Sequence, residues 1–251
     1  MHTVPSPGLQ LYTVRSILEK DFEGTIEKIA AIGYEEVELH DLFGRTAAEV
    51  RAILDRSGLA APARHVGLAD LRTRIGEVLD ETATLGCEWI VCPFVGASDR
   101  SLDGYRRIAD DLNAAAATCH EAGRSFAYHN HNFEFAPIDD AIPYDLLLER
   151  CDDALVAMEL DIFWIAKAGA NPFDYFSRYP GRFKLCHVKD MAPDGSMTEV
   201  GSGILDFSTI FVSAEQAGLE HYFVEHDEPE DPIASITTSY QGVVPLLEAI
   251  G

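Results

Sequence analysis

The stretch Tyr128-His129-Asn130-His131-Asn132-Phe133-Glu134 sets two imidazoles, two amides and a carboxylate close together in the chain. Imidazole nitrogen and carboxylate oxygen are ligands for divalent metals, and amides can orient them. Taken alone, a solvated polar loop accounts for the stretch about as well. Other apolar runs, however, end in the same kind of residue. Gln10 lies in Gly8–Tyr12 (GLQLY), His40 ends Glu36–His40 (EVELH), and His65 ends Ala61–His65 (APARH). Ala154–Asp161 (ALVAMELD) carries Glu159 and Asp161, Phe183–His187 (FKLCH) is followed by Lys189, and His221–Glu225 (HYFVE) is followed by Asp227. Glu159 and Asp161 are two apart, so on a strand they share a side, where one can ligate while the other orients. One His with two or three carboxylates suits Mn²⁺, Mg²⁺, Co²⁺ or Zn²⁺. The lack of a thiolate among these groups argues against structural zinc.

These polar ends need a scaffold that brings them together. Apolar runs of strand length alternate along the whole chain with segments of helical periodicity. Phe22, Ile26 and Ile29 mark a first helix, with Gly33 placed to stop it. Helices follow near Ala47–Arg56, over Leu71–Leu85, from Leu102 to Cys119 and over Tyr144–Arg150. Further ones run near Phe173–Tyr179, over Phe207–Ala217 and over Ile233–Ile250, the last with a bend expected at Pro245. Glu88–Pro93 (EWIVCP) and Ser125–Asn130 complete a set of eight strands, each followed by a helix. That is the rhythm and length of a (β/α)8 TIM barrel formed as a single domain over residues 1–251, in which all strand C-terminal ends open on one face. A doubly wound open sheet is the rival, but eight units favour closure. No glycine-rich nucleotide-binding signature opens any unit.

Composition narrows the function further. Forty-two acidic against 19 basic residues give a formal charge of −23, a surface that repels nucleic-acid phosphates and anionic lipid. The five cysteines are scattered without a CxxC pair, which reads as reduced thiols in a cytoplasmic protein. No apolar run has the length of a membrane span, and the first residues lack the charged and apolar parts of a signal peptide. The partner expected is a small molecule, with no nucleic acid and no membrane; a homo-oligomer is left open.

Leu9-Gln10-Leu11-Tyr12-Thr13-Val14-Arg15, the Tyr128–Phe135 stretch, Glu159–Gly169, His187-Val188-Lys189-Asp190, Glu199–Phe207 and Phe223–Glu228 together resemble the sugar phosphate isomerase/epimerase family of xylose isomerase-like TIM barrels. The resemblance covers nearly the whole chain. It implies a metal-dependent sugar isomerase or epimerase acting on a ketose, inosose or 3-keto-glycoside. A dehydratase or lyase on an inosose or 3-keto-sugar is the alternative. A non-catalytic sugar-binding barrel or an endonuclease-like barrel is disfavoured by the retained ligands and by the charge.

The metal, Mn²⁺ before Mg²⁺, Co²⁺ or Zn²⁺, is expected on Asp161, His187, Glu225 and a fourth ligand from the fifth strand. Where related ketose 3-epimerases have that fourth glutamate, this chain aligns Tyr128, so Glu134 is expected either to reach back into its place, with His131 and His129 as other candidates, or to contact substrate as the aligned glutamate does in those epimerases. Trp164 stands where those epimerases have a histidine. The resemblance further implies Glu134 and Glu225 as bases for the proton beside a carbonyl, and His65, His131 and Lys189 as substrate contacts.

Overall fold

The computed structural model describes residues 5–251, so residues 1–4, which belong to the segment read for a signal peptide, lie outside the described residues. Eight parallel strands close on themselves. They are β1 (Pro7–Gln10), β2 (Glu36–Leu39), β3 (Ala60–His65), β4 (Trp89–Cys92), β5 (Ser125–His129), β6 (Val156–Asp161), β7 (Phe183–Val188) and β8 (His221–Val224). Each pairs with its neighbours in sequence, and β1 closes the ring on β8. The helices form the outer layer. The eight-unit barrel read from the periodicity is therefore the fold.

Local signals explain the element boundaries. Asp21 caps Phe22–Ile32 by accepting from the Gly24 amide, and Thr46 with Glu49 forms a reciprocal capping box ahead of Ala47–Ser57. Gly58 ends that helix in the left-handed conformation, φ 71°. Several boundaries differ from the sequence reading. The helix expected over Leu71–Leu85 is two, Leu68–Thr73 and Ile75–Leu85, separated at Arg74. The one expected over Phe207–Ala217 is likewise divided, at Ser213. Pro245 lies inside the continuous helix Pro232–Glu248. A short helix, Ile162–Lys167, starts directly on Asp161, whose carboxylate caps it. A small hairpin joins Asp190–Met191 to Met197–Thr198 after β7.

Strand alternation sorts the side chains into two sets. Outward residues such as Val37, Ile90, Tyr128, Leu160 and Cys186 join the main core shared with the helices. Inward residues fill the barrel: Ala63, Trp89, Val91, Ala127, Leu185 and Phe223 form a separate buried cluster with Ala157 beside it. Bulky Phe223 is paired in register with Gly8 on β1, the large-against-small fit a closed interior demands. Gly8 in β1 is part of that fit, because a Cβ there would stand 2.5 Å from the Phe223 ring and 3.0 Å from the Tyr222 carbonyl. Gly8→Ala should therefore lower stability by about 1–3 kcal/mol through overpacking. Urea denaturation would measure it, and an unchanged midpoint would mean the interior has slack that this packing does not suggest.

Candidate metal centre at the barrel mouth

Above the apolar interior the inward positions turn polar. On β1 and β2 they are Gln10 and Glu38; on β3 and β5, His65 and His129; on β6, Glu159 and Asp161. His187 on β7 is followed in the same register by Lys189, and β8 continues to Glu225 and Asp227. Glu38, Glu159, Asp161 and His187 are fully buried, and His129, Lys189 and Glu225 nearly so.

Four groups offer one ligand atom each at a common point. Those atoms of His129, Asp161, His187 and Glu225 all lie within 4.8 Å of one another. His129 Nε2 is 3.5 Å from Asp161 Oδ2, and His187 Nδ1 is 3.8 Å from Asp161 Oδ2 and 2.8 Å from Glu225 Oε2. An ion bonded at about 2.0–2.2 Å spaces its donors by roughly 3–4.4 Å. The second polar atom of three of these groups is committed elsewhere. His129 Nδ1 lies 3.2 Å from the Pro93 carbonyl, which can only accept, so Nδ1 carries the proton and Nε2 keeps a lone pair. His187 Nε2 lies 2.7 Å from Glu38 Oε2, which leaves Nδ1 to face the cluster. Asp161 Oδ1 accepts from the Trp164 amide at 2.8 Å. His129 Nε2, Asp161 Oδ2 and His187 Nδ1 are buried and make no directed hydrogen bond, although Glu225 Oε2 stands 2.8 Å from His187 Nδ1 and Lys189 Nζ 3.0 Å from Asp161 Oδ2. Buried polar atoms without directed hydrogen bonds are rare, and three converging on one spot fit a cation. Asn130 steadies the arrangement by joining the ends of β5 and β6: its Oδ1 accepts from the Asp161 amide at 3.1 Å.

Beneath this point lies a second charged layer. His65 Nε2 is 3.0 Å from Glu159 Oε2 and 3.3 Å from Glu38 Oε2, and His187 Nε2 is 3.2 Å from Glu159. Gln10 donates to Glu38 at 2.6 Å. Carboxylates that hold a metal-facing histidine by its other nitrogen fix its tautomer and orientation. Burial works against charge throughout this cluster, and partners overcome it. Lys189, then His129 and His187, bring Asp161 to about 2. Lys189 and His187 hold Glu225 well below the usual range. Glu38 and Glu159 raise His65 to about 9, and Glu159, Glu225 and Glu38 raise His187 well above its ordinary value.

The structure brings Asp161, His187 and Glu225 together but does not bring Glu134 to them. Glu134 accepts at Oε1 from the Tyr128 hydroxyl at 2.5 Å and at Oε2 from the His131 amide at 2.8 Å. The reason is strand parity. Tyr128 points outward into the helix layer, and Glu134, on the 3-10 turn Phe133–Phe135, joins it there; His129 is the inward residue of β5. Glu134, expected as a metal ligand and base, thus lies outside the cluster, and His129 is the fifth-strand residue whose imidazole faces it.

A cavity of about 390 Å³ opens over the cluster. His65, His131 and Lys189 line it, as do Glu225 and Asp227; Glu134 does not. Tyr12 and Phe94, large aromatics partly exposed to solvent, form part of its wall. Burial, then the nearby His129, pushes His131 down to about 3, so its imidazole is neutral. Glu38 was absent from the sequence reading. In Glu36-Val37-Glu38-Leu39 acids alternate with apolar residues, a pattern that does not by itself say which side faces inward.

A family model described as xylose isomerase-like TIM barrel matches residues 26–239, and the chain belongs to that family. Among curated relatives, an inosose dehydratase of Geobacillus kaustophilus is 24% identical over 250 residues, covering 83% of this chain and 80% of the relative. A sugar phosphate isomerase/epimerase structure from Parabacteroides distasonis superposes with a TM-score of 0.87 at 23% identity, over 98% of this chain and 96% of the other. The structure of an IOLI protein with a bound zinc atom superposes at 0.79 with 14% identity, over 98% and 99% of the two chains.

Burial, outweighing the bonds from Tyr128 and His131, raises the Glu134 carboxyl from 4.5 to about 7. A raised acid favours the fold while protonated: its contribution is complete below the unfolded value and is lost as pH climbs through about 7. Glu134→Gln keeps the neutral shape, since Gln can accept from the His131 amide and donate to Tyr128. Its stability relative to wild type should rise from pH 5 to pH 8.5, by up to about 3 kcal/mol. Chemical denaturation at the two pH values checks this, and a difference that does not change with pH would remove the buried-acid account.

Proposed function

We propose that this protein is a divalent-metal-dependent enzyme that removes a proton beside the carbonyl of a polyhydroxy ketone, an inosose or keto-sugar. The observation that supports the reading is the convergence of His129, Asp161, His187 and Glu225, three of whose buried polar atoms make no directed hydrogen bond. These four residues would hold the ion. When bound, it supplies Lewis acidity that polarises a substrate carbonyl. Two imidazoles with two carboxylates suit Mn²⁺, Co²⁺ or Zn²⁺ better than Mg²⁺, which prefers oxygen donors.

The remaining roles fall to the chain's own cavity-lining groups. Glu225 accepts the proton from the carbon next to the carbonyl. Lys189 and His131 contact substrate oxygens, and the aromatic wall of Tyr12 and Phe94 limits water around the ring. His65, held between Glu38 and Glu159, is a cationic donor at the cavity. If the β-hydroxyl leaves as water on a proton from His65, the outcome is dehydration. If the proton returns to carbon, the outcome is isomerisation or epimerisation. A cationic donor lining the same cavity as the base favours dehydration, and so does the likeness to inosose dehydratases. Five buried free thiols fit a reducing compartment such as the cytoplasm.

The test is solvent-deuterium incorporation and dehydration of inososes and 3-keto-glycosides, with Mn²⁺, Co²⁺ or Zn²⁺ supplied. His129→Ala should weaken metal binding by roughly tenfold or more and reduce turnover in parallel, whereas Glu134→Gln should retain the ion. Metal affinities by calorimetry compare the two. Undiminished affinity in His129→Ala would remove it from the ligand set, and the absence of exchange or dehydration with every such ketone would sink the reaction class.

A further inference from the structure

Lys189 is almost fully buried, and its ammonium stands at the same oxygens that face the candidate ion. Nζ is 3.0 Å from Asp161 Oδ2, 2.7 Å from Glu225 Oε2 and 2.8 Å from Asp227 Oδ1. Asp161 Oδ2 is also the oxygen nearest to His129 Nε2, and Glu225 Oε2 the one nearest to His187 Nδ1. The contact with Asp161 is an ion pair off the hydrogen-bond direction, since Oδ2 has no hydrogen bond, whereas the Asp227 contact is a directed bond. One ammonium is therefore shared among three carboxylates, two of which are candidate ligands.

We infer that Lys189 is a resident counter-ion of the metal centre: its ammonium competes with the divalent ion for Asp161 and Glu225 and yields to it on loading. This rests on the metal reading above. A cation next to a divalent ion repels it, and the repulsion is strong where water is excluded. Without the ion, the same ammonium stabilises carboxylates that would otherwise repel one another at close range. Loading leaves Lys189 with Asp227, which is partly exposed and lines the cavity, so the displaced ammonium turns towards the space a substrate oxygen would fill. Lys189 in this role sets how readily the centre fills, in addition to contacting substrate.

Lys189→Met keeps the length of the side chain and removes the charge; Lys189→Arg keeps the charge. Wild type and both variants are stripped with chelator and titrated with Mn²⁺ by calorimetry, and their melting is followed with and without Mn²⁺. The expected result is Mn²⁺ affinity more than tenfold tighter in Lys189→Met, with no tightening in Lys189→Arg. The stripped Lys189→Met should melt below wild type, and its gain in melting temperature at saturating Mn²⁺ should exceed the wild-type gain. This last comparison holds even for a fragile stripped variant. If Lys189→Met binds Mn²⁺ while wild type does not, the competition is supported in a stronger form. If wild type binds and Lys189→Met binds no tighter, with an equal or smaller gain on melting, the inference is overturned and the metal reading stands. If neither binds, both fall.

Discussion

Five carboxylates, those of Glu38, Glu159, Asp161, Glu225 and Asp227, share the mouth of one barrel, and the first four are buried. Two unit charges at about 4 Å repel by about 4 kcal/mol even at an effective dielectric near 20. Such a cluster is tenable only if each acid meets a cation. The lower pair meet His65 and His187, while Asp161, Glu225 and Asp227 meet Lys189, with His187 also beside Glu225. The site is in this sense a stack of two charge layers joined by one imidazole. His187 faces Glu38 through Nε2 and Glu225 through Nδ1, so a change in either layer reaches the other through that ring.

The overall acidity of the chain and the chemistry of the mouth are separate matters. The exposed acids make the −23 surface and bear on solubility and on which polymers are repelled. The buried ones are offset in part by His65, His187 and Lys189, and their work is to aim lone pairs.

Much of the fold was legible because the barrel is built from local signals. Helical periodicity, glycine stops such as Gly58 and Gly86, and apolar strands recur in each unit, and eight repeats leave little choice but closure. The divisions at Arg74 and Ser213 were not legible, because apolar spacing continues across both. Asp161, His187 and Glu225 could be picked out since each is a polar residue closing or following an apolar strand. Glu38 could not, because an acid alternating with valine and leucine looks the same on a solvent-facing strand. Only closure of the sheet turns that face inward.

The fifth strand shows the same limit at finer scale. Residue type alone ranks the Glu134 carboxylate above a histidine as the missing ligand, and counting six residues from Tyr128 suggests a chain that folds back over the mouth. Alternation decides otherwise. Ala127 belongs to the barrel interior and Tyr128 to the outer core, so His129 must return to the interior. Its pairing with Glu159, beside Asp161 opposite His187, carries the imidazole to the cluster without any turn of the chain. Glu134 then has a different task. By accepting from both Tyr128 and the His131 amide it ties the outward side of β5 to the segment that follows His129. The seven residues from Tyr128 to Glu134 thus serve both faces of one strand: the acid anchors the loop from outside, and the histidine offers its lone pair within.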